Sequence, residues 1–157
     1  MARKPLFAIL AGKMERARSE LDRLGTFLAE QDSAARPNAW SRIAMIAYVV
    51  HGVYNGMEDV MADIASAIDD HVPKGASSHQ ALLDQMRTDM GDLRPALLDR
   101  DLHRDLSELK AFRHFVRHQY GVDLVPEKVE AKLALLVAVL PSFERALLQL
   151  ESLLAER

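Results

Sequence analysis

The segment PEKVEAKLALLVAVLPSFERALLQLESLL, residues 126–154, has the most regular apolar pattern in the chain. Its apolar residues recur every three or four positions, as they do along one face of an α-helix with about 3.6 residues per turn. Proline is favoured at the first position of a helix, whereas Pro141 is expected to kink this one. The predicted core positions are Val129, Leu133, Leu136, Leu140, Phe143, Leu147, Leu150 and Leu154. The segment therefore predicts a long core helix.

Three earlier segments have the same period and predict helices over residues 5–30, 38–70 and 101–121. A short extra helix is expected from Ser77 to Met90, just before the third long one. The predicted core residues are, in chain order, Ile9, Met14, Ala17, Leu21, Leu24 and Leu28; Ile43, Ile46, Val50, Val53, Tyr54, Met57, Met61, Ile64 and Ile68; and Leu102, Leu106, Leu109, Phe112, Val116 and Tyr120. Four long helices with short connections predict an all-α, up-down antiparallel four-helix bundle, with residues 1–157 as a single domain.

Composition excludes several classes of protein. Apolar residues make up 49% of the 157 positions and charged residues 27%, which excludes a disordered tail. The absence of cysteine excludes a disulfide framework and a thiolate metal site, and fits a cytoplasmic location. The apolar stretch near the N-terminus continues into an amphipathic period, so we do not interpret it as a signal peptide. No apolar run approaches the roughly 20 residues that span a membrane, and no membrane association is expected.

Functional groups are concentrated in Phe112-Arg113-His114-Phe115-Val116-Arg117-His118-Gln119-Tyr120. Most of its polar residues share one side of the predicted helix, but Arg113 falls within the apolar arc, where a guanidinium is costly unless it is paired or reaches solvent along its stem. On the second helix, only Glu58 lies at the flank of the apolar stripe. We therefore predict that Glu58 orients Arg113.

Three interpretations compete for the histidines of this stretch. His114 and His118 have the spacing of a two-histidine metal face, but no carboxylate joins them, and Lys110 and Arg117 would repel a cation, so no metal is predicted. A solvated polar face is the plainest interpretation. The third is phosphate chemistry, in which arginine neutralises a phosphate and histidine transfers a proton near neutral pH. RNA supplies its own 2′-hydroxyl nucleophile, so cleavage would need neither a metal nor a cofactor.

Helix geometry places a condition on that chemistry. Five residues of a regular helix turn about 140° net, so Arg113 and His118 cannot converge on one substrate atom from the same regular helix. Either the helix is distorted before Gly121, or the site is shared between two copies of the chain across a two-fold axis.

The pattern Arg113-x4-His118-x-Tyr120 resembles the signature of the HEPN superfamily, and specifically of HepT-like ribonuclease toxins from prokaryotic toxin-antitoxin pairs. Two further segments are similar to that group: Tyr54-Asn55-Gly56-Met57-Glu58 on the second helix, and Arg94-Pro95 ahead of the motif. The resemblance spans the second and third long helices, and the two outer helices match in character only.

The resemblance implies a homodimeric bundle that cleaves RNA without metal and leaves a cyclic phosphate. Arg113 and His118 occupy the catalytic positions, with Glu58, His114 and Arg117 expected to support them. It also implies a partner, a minimal nucleotidyltransferase antitoxin that transfers AMP to the motif tyrosine, here Tyr120. Tyr120 has a second interpretation as a core residue, since it lies in line with Leu102 and Leu106. The alternative function is a non-catalytic binding subunit, or antitoxin partner, of a nucleotidyltransferase.

Overall fold

A computed structural model describes residues 3–118 and 124–157, and side chains for residues 5–116 and 124–157. These residues form α1 (Arg3–Ser33), α2 (Ala39–Ile64), α3 (Ser78–Arg87), α4 (Arg100–His118) and α5 (Pro126–Ala155). The described ranges contain no strand, so the all-α prediction is confirmed. The short helix expected before the motif helix is α3.

Ion pairs between the long helices establish their directions. Lys13 of α1 pairs with Asp63 of α2 at 2.5 Å, while the opposite ends of these helices are joined by Asp32 and Arg42 at 3.0 Å. Residues early in α1 therefore meet residues late in α2. In the same way, Arg18 of α1 pairs with Glu144 of α5, and Phe7 and Leu10 line a groove with the later residues Leu147 and Leu148.

The remaining long pair, α4 and α5, is also antiparallel. Glu108 of α4 meets Lys132 near the start of α5 at 3.5 Å, whereas Asp101 at the start of α4 lines a groove with Arg145, later in α5. The four long helices thus form the predicted up-down bundle.

The end of α2 departs from the single helix predicted over residues 38–70. Asn38 caps its start, with Oδ1 accepting from the backbone N–H of Ser41 at 3.0 Å. At the other end, Ala65–Asp69 form a π-helical turn, and Asp70 adopts a left-handed backbone conformation with φ 53°. This turn fixes Asp69 at the end of the helix, where it becomes part of a buried ion pair.

That ion pair joins Asp69 to Arg94, whose side chains are 2% and 0% exposed. Arg94 Nε and Nη2 each donate to one Asp69 oxygen at 2.7 Å, a bidentate arrangement. Gln85 of α3 donates to the same carboxylate at 2.7 Å. The loop between α3 and α4 is thereby tied to the end of α2, which determines where α4 begins.

The hydrophobic core takes residues from all five helices and agrees with most of the predicted stripes. Ile9 is the exception, because it is 57% exposed while Phe7 and Leu10 on the neighbouring face are buried. The prediction for Ile9 was therefore wrong: the buried line of α1 starts at Phe7 and continues through Leu10 to Met14, with spacings of three and four residues. Leu82, Leu83 and Met86 anchor α3 to the same core.

Helix α5 continues through Pro141 and is long and apolar enough to cross a membrane by length and composition. The expectation that no stretch qualifies was therefore too strict. The central helix of a soluble bundle meets the same criterion, and the buried positions of α5 contact the other helices. Among its remaining apolar residues, Val139 is buried, whereas Val137 and Leu148 are 53% and 66% exposed.

Candidate functional site

Arg113 lies near the end of α4, and its half-buried side chain points toward α2. Its Nε donates to Oδ1 of Asn55 at 2.5 Å. The structure therefore gives Arg113 a neutral amide as its partner on α2, one helical turn before the carboxylate that we predicted. An amide orients the guanidinium without cancelling its charge, so the site keeps a positive charge available to a ligand.

Glu58 pairs instead with His79 of α3. Glu58 Oε1 lies 2.5 Å from His79 Nδ1, and the two side chains are 15% and 40% exposed. The prediction that Glu58 holds Arg113 directly is corrected accordingly. Sequence reasoning missed this pair because it assigned no function to α3, whose first turn carries the histidine over the junction of α2 and α4.

Tyr54 forms the buried floor beneath Arg113 and Glu58. Its side chain is fully buried, and burial is the main reason that its pKa is raised above the ordinary value. The neighbouring Glu58 carboxylate raises this pKa further, while Arg113 lowers it. One tyrosine therefore senses both charged groups, which places Arg113 and Glu58 around the same point of α2.

A polar stripe of His103, Ser107, Lys110 and His114 follows one side of α4 and is divided between two environments. Its first half is covered by α3: His103 Nε2 meets Asp84 Oδ1 at 2.7 Å, and Lys110 Nζ donates to Gln80 Oε1 at 2.7 Å. Hydrogen bonds from Gln80 and His103 lower the pKa of Asp84, and Lys110 adds to the effect. These residues hold α3 against α4, so His103 and Lys110 are already engaged in the structure.

The end of α4 carries most of the site residues that the sequence predicts. His114 is exposed on α4, and helix geometry continues to His118. The side chains of Arg117 and His118 lie outside the described side chains, and Tyr120 lies outside the described residues. Because α4 is helical from Arg113 to His118, about 140° separates the directions in which these two residues leave the helix. The described backbone thus lacks the distortion that would bring them together in one chain.

Among the described residues, no three histidine, aspartate or glutamate side chains are grouped so that they could hold a metal ion. The chemical groups that the structure does bring together are a guanidinium held by an amide, a histidine held by a carboxylate, and an ammonium held by an amide. They are Arg113 with Asn55, His79 with Glu58, and Lys110 with Gln80. Such a set can bind an anion and exchange a proton.

An antiparallel four-helix bundle with an R-x4-H motif at the end of a long helix is typical of HEPN-type proteins. A family model described as "HepT-like protein" matches residues 45–154, from α2 to the end of α5. The chain therefore belongs to the HepT-like family, a HEPN-type, toxin-related group whose members are usually ribonucleases. No curated protein matches the chain, and no solved structure does.

Proposed function

We propose that this protein is a metal-independent endoribonuclease toxin that cleaves RNA by attack of the substrate 2′-hydroxyl on the adjacent phosphate. The observation that carries the proposal is the half-buried Arg113, held by a neutral amide at the end of the helix that also carries His118. A fully buried structural arginine would need a carboxylate, because an uncompensated buried charge is costly, whereas Arg113 is half-buried and has an amide as its partner. An amide partner suits an arginine that binds a phosphate.

In this mechanism Arg113 neutralises the scissile phosphate and stabilises the charge that develops on its oxygens. His118 acts as a general acid or base, and His114 and Arg117 of the same helix assist. The P–O2′ bond forms as the P–O5′ bond breaks, which yields a 2′,3′-cyclic phosphate and a 5′-hydroxyl. Substrate supplies the nucleophile, so no cofactor is required.

The active form is proposed to be a homodimer with a shared site, in which Arg113 of one protomer works with His118 of its partner. Two observations support this. Regular helix between the two residues prevents convergence within one chain, and apolar side chains are exposed at the end of the bundle where α4 ends. Trp40, Phe115 and Val125 are 77%, 39% and 44% exposed there, which fits a surface covered by a second copy.

Regulation is proposed to involve a minimal nucleotidyltransferase antitoxin in the same cytoplasm. It would transfer AMP from ATP to the Tyr120 hydroxyl and release pyrophosphate. A bulky anion two residues beyond His118 would occupy the phosphate site and repel RNA. This fits the family's relation to toxins and accounts for a tyrosine at that position of the motif.

The first experiment is RNA cleavage by purified protein in excess chelator, with intact mass recorded for each sample. Native protein is expected to cleave, and Arg113→Ala and His118→Ala are each expected to lose about 10² to 10³-fold in rate. No cleavage by unmodified native protein would overturn the ribonuclease proposal and favour a binding subunit. Inactivity accompanied by an AMP-sized mass increase would instead indicate that AMP transfer, proposed at Tyr120, inhibits the enzyme.

A mixing experiment tests the shared site. Arg113→Ala and His118→Ala chains are each inactive alone, but a mixed dimer would combine Arg113 from one chain with His118 from the other and regain one intact site. Recovery of activity on mixing supports the composite arrangement. If the mixture remains as inactive as the separate variants after subunit exchange has been verified, the site lies within one chain.

A further inference from the structure

The first turn of α3 carries a histidine that no part of the R-x4-H motif includes. His79 lies between α2 and α4 with its Nδ1 2.5 Å from Glu58 Oε1. The ring is 40% exposed, whereas the carboxylate that holds it is 15% exposed. A partly exposed imidazole with one nitrogen fixed by a sheltered carboxylate leaves Nε2 as the nitrogen that can exchange a proton with a bound molecule.

Three contacts place His79 and Arg113 in the same junction. On α2, Asn55 holds Arg113 and Glu58 holds His79, and residues three apart on a helix lie about 5 to 6 Å apart at Cβ. On the other side, Lys110 of α4 donates to Gln80, the residue after His79. Lys110 is one turn before Arg113, so the α3 start is fixed to both helices next to the guanidinium.

The buried tyrosine beneath the junction supports the same placement. Tyr54 interacts electrostatically with Glu58 and with Arg113, which requires both charges to lie close to one hydroxyl. The charged and titratable groups of the junction are Glu58 on α2, His79 and Asp84 on α3, and His103, Lys110 and Arg113 on α4. Of these groups, Lys110 and Arg113 donate to neutral amides and not to carboxylates, and these two cations favour an anionic ligand such as an RNA phosphate.

We propose that His79, positioned by Glu58, is the general base of RNA cleavage and acts beside Arg113 of the same chain. This rests on the proposed ribonuclease function and adds a residue outside the motif. Neutral His79 donates Nδ1–H to Glu58, and its Nε2 takes the proton of the 2′-hydroxyl as the P–O2′ bond forms. His118 then protonates the departing 5′-oxygen as the P–O5′ bond breaks. One histidine gains the proton that the other loses, so the step is balanced.

The proposal also assigns a function to Glu58. A carboxylate fixes the imidazole tautomer that has its lone pair on Nε2, and it stabilises the imidazolium that forms during proton transfer. Glu58 is therefore a positioning residue, because it acts through the His79 imidazole and does not touch the substrate. This replaces its predicted role as the partner of Arg113.

The test compares two histidine–carboxylate pairs that each include one residue of α3: His79 with Glu58, and His103 with Asp84. His79→Asn keeps an amide donor near the position of Nδ1, so Glu58 retains a partner while the base is removed. The matched control is His103→Gln, which keeps an amide at the position of Nε2 beside Asp84, at the interface of α3 with α4. Both variants are measured for the rate of RNA cleavage from pH 5 to 9, with thermal unfolding as the folding control.

We expect His79→Asn to lower kcat by about 10² to 10⁴-fold and to remove the rise of the rate with pH that a general base produces. His103→Gln should leave both within about twofold. Glu58→Gln should lower kcat with little change in KM, and added imidazole should partly restore a His79→Ala variant. Imidazole rescue distinguishes lost proton transfer from lost folding.

The outcomes separate the two proposals. If unmodified native protein does not cleave RNA, the proposed function fails and the general-base assignment fails with it. If native protein cleaves, and folded His79→Asn cleaves at the native rate with the native pH profile, the general-base assignment is wrong while the ribonuclease stands. If His79→Asn unfolds, a folded His79→Ala without imidazole rescue has the same consequence.

Discussion

Arg113 contacts α2 and Arg94 contacts the π-helical turn that follows it, and their surroundings differ as those of a functional and a structural guanidinium should. Arg94 donates to both oxygens of Asp69 and to the backbone carbonyls of Gln85, Thr88 and Pro95, at distances between 2.7 and 3.2 Å. A guanidinium has five N–H donors, and each has an acceptor here. Its charge is neutralised by a carboxylate that is equally buried.

Arg113 has the opposite arrangement. Its hydrogen bond within the described side chains runs from Nε to the neutral Asn55, and the residue is half-buried at the edge of the bundle. The amide orients Nε and carries no charge, so it does not neutralise the guanidinium. The comparison shows that burial alone does not distinguish the two roles. The partner does: a carboxylate closes the site, whereas an amide leaves it open to an anion.

The largest effect on stability is expected from breaking the buried Arg94–Asp69 ion pair. Arg94→Met leaves Asp69 buried without its partner and should lower the free energy of unfolding by about 3 to 5 kcal/mol. The double variant Arg94→Met/Asp69→Leu should recover most of that loss, because no charge then remains buried. Chemical denaturation followed by circular dichroism measures both.

The exposed Arg104, which pairs with Asp101 and Asp105, provides the control for that experiment. Arg104→Met should leave the free energy of unfolding unchanged within the error of the measurement, because its ion pairs are exposed to solvent. A loss below about 1 kcal/mol for Arg94→Met would show that the buried pair does not hold the α3–α4 loop as described.

The second prediction concerns Arg113, whose partner Asn55 is neutral. Arg113→Ala should reduce RNA cleavage by about 10² to 10³-fold while lowering the free energy of unfolding by less than about 1 kcal/mol, since no carboxylate loses its partner. Cleavage assays and denaturation of the same preparation measure the two quantities. A variant as unstable as Arg94→Met would place Arg113 among the structural arginines.

Asn55→Asp would convert the open site into a copy of the closed one. The new carboxylate should neutralise Arg113, weaken RNA binding about tenfold at low salt, and reduce the slope of log affinity against log salt by about one phosphate contact. Binding to a non-cleavable RNA across a salt series gives both values. Asn55→Ala is the control, because it removes the amide without adding charge. Unchanged salt dependence in Asn55→Asp would mean that Arg113 does not contact phosphate.

Apolar periodicity was sufficient to predict the bundle, because the core is a property of each helix by itself. Leu136, Leu140 and Phe143 of α5 are buried where their spacing placed them. Ile9 was misplaced, since Phe7 and Leu10 fit the helical period equally well and the neighbouring helices decide which line is covered. Periodicity identifies a face, whereas tertiary packing determines its centre.

The partners of the polar residues were not predictable in the same way. Motif spacing singled out Arg113, but the choice between Asn55 and Glu58, one turn apart on α2, depends on where α3 places His79. That position depends in turn on Arg94, in the segment ahead of the motif, and on Asp69, at the end of the second predicted helix. Such hydrogen bonds and ion pairs join segments that are far apart in the chain, and no periodic pattern in the sequence indicates them.

The smallest effect concerns Tyr54, the buried tyrosine beneath Arg113. Burial first, and then the Glu58 carboxylate, raise the pKa of Tyr54 above 10, so the folded protein keeps the phenol neutral where the unfolded chain ionises it. The contribution of Tyr54 to the free energy of unfolding is therefore fully present below about pH 10 and is lost as pH rises through that region, by up to about 1.4 kcal/mol per pH unit.

Tyr54→Phe should remove this part of the alkaline loss and change the free energy of unfolding at pH 7 by less than about 1 kcal/mol. Unfolding by urea at pH 7, 9.5 and 10.5 tests it, and parallel losses in native protein and variant would show that Tyr54 ionises as readily in the folded state. A reduced loss in the variant would instead confirm that the surface beneath Arg113 excludes water, which is the condition under which one guanidinium binds a phosphate strongly.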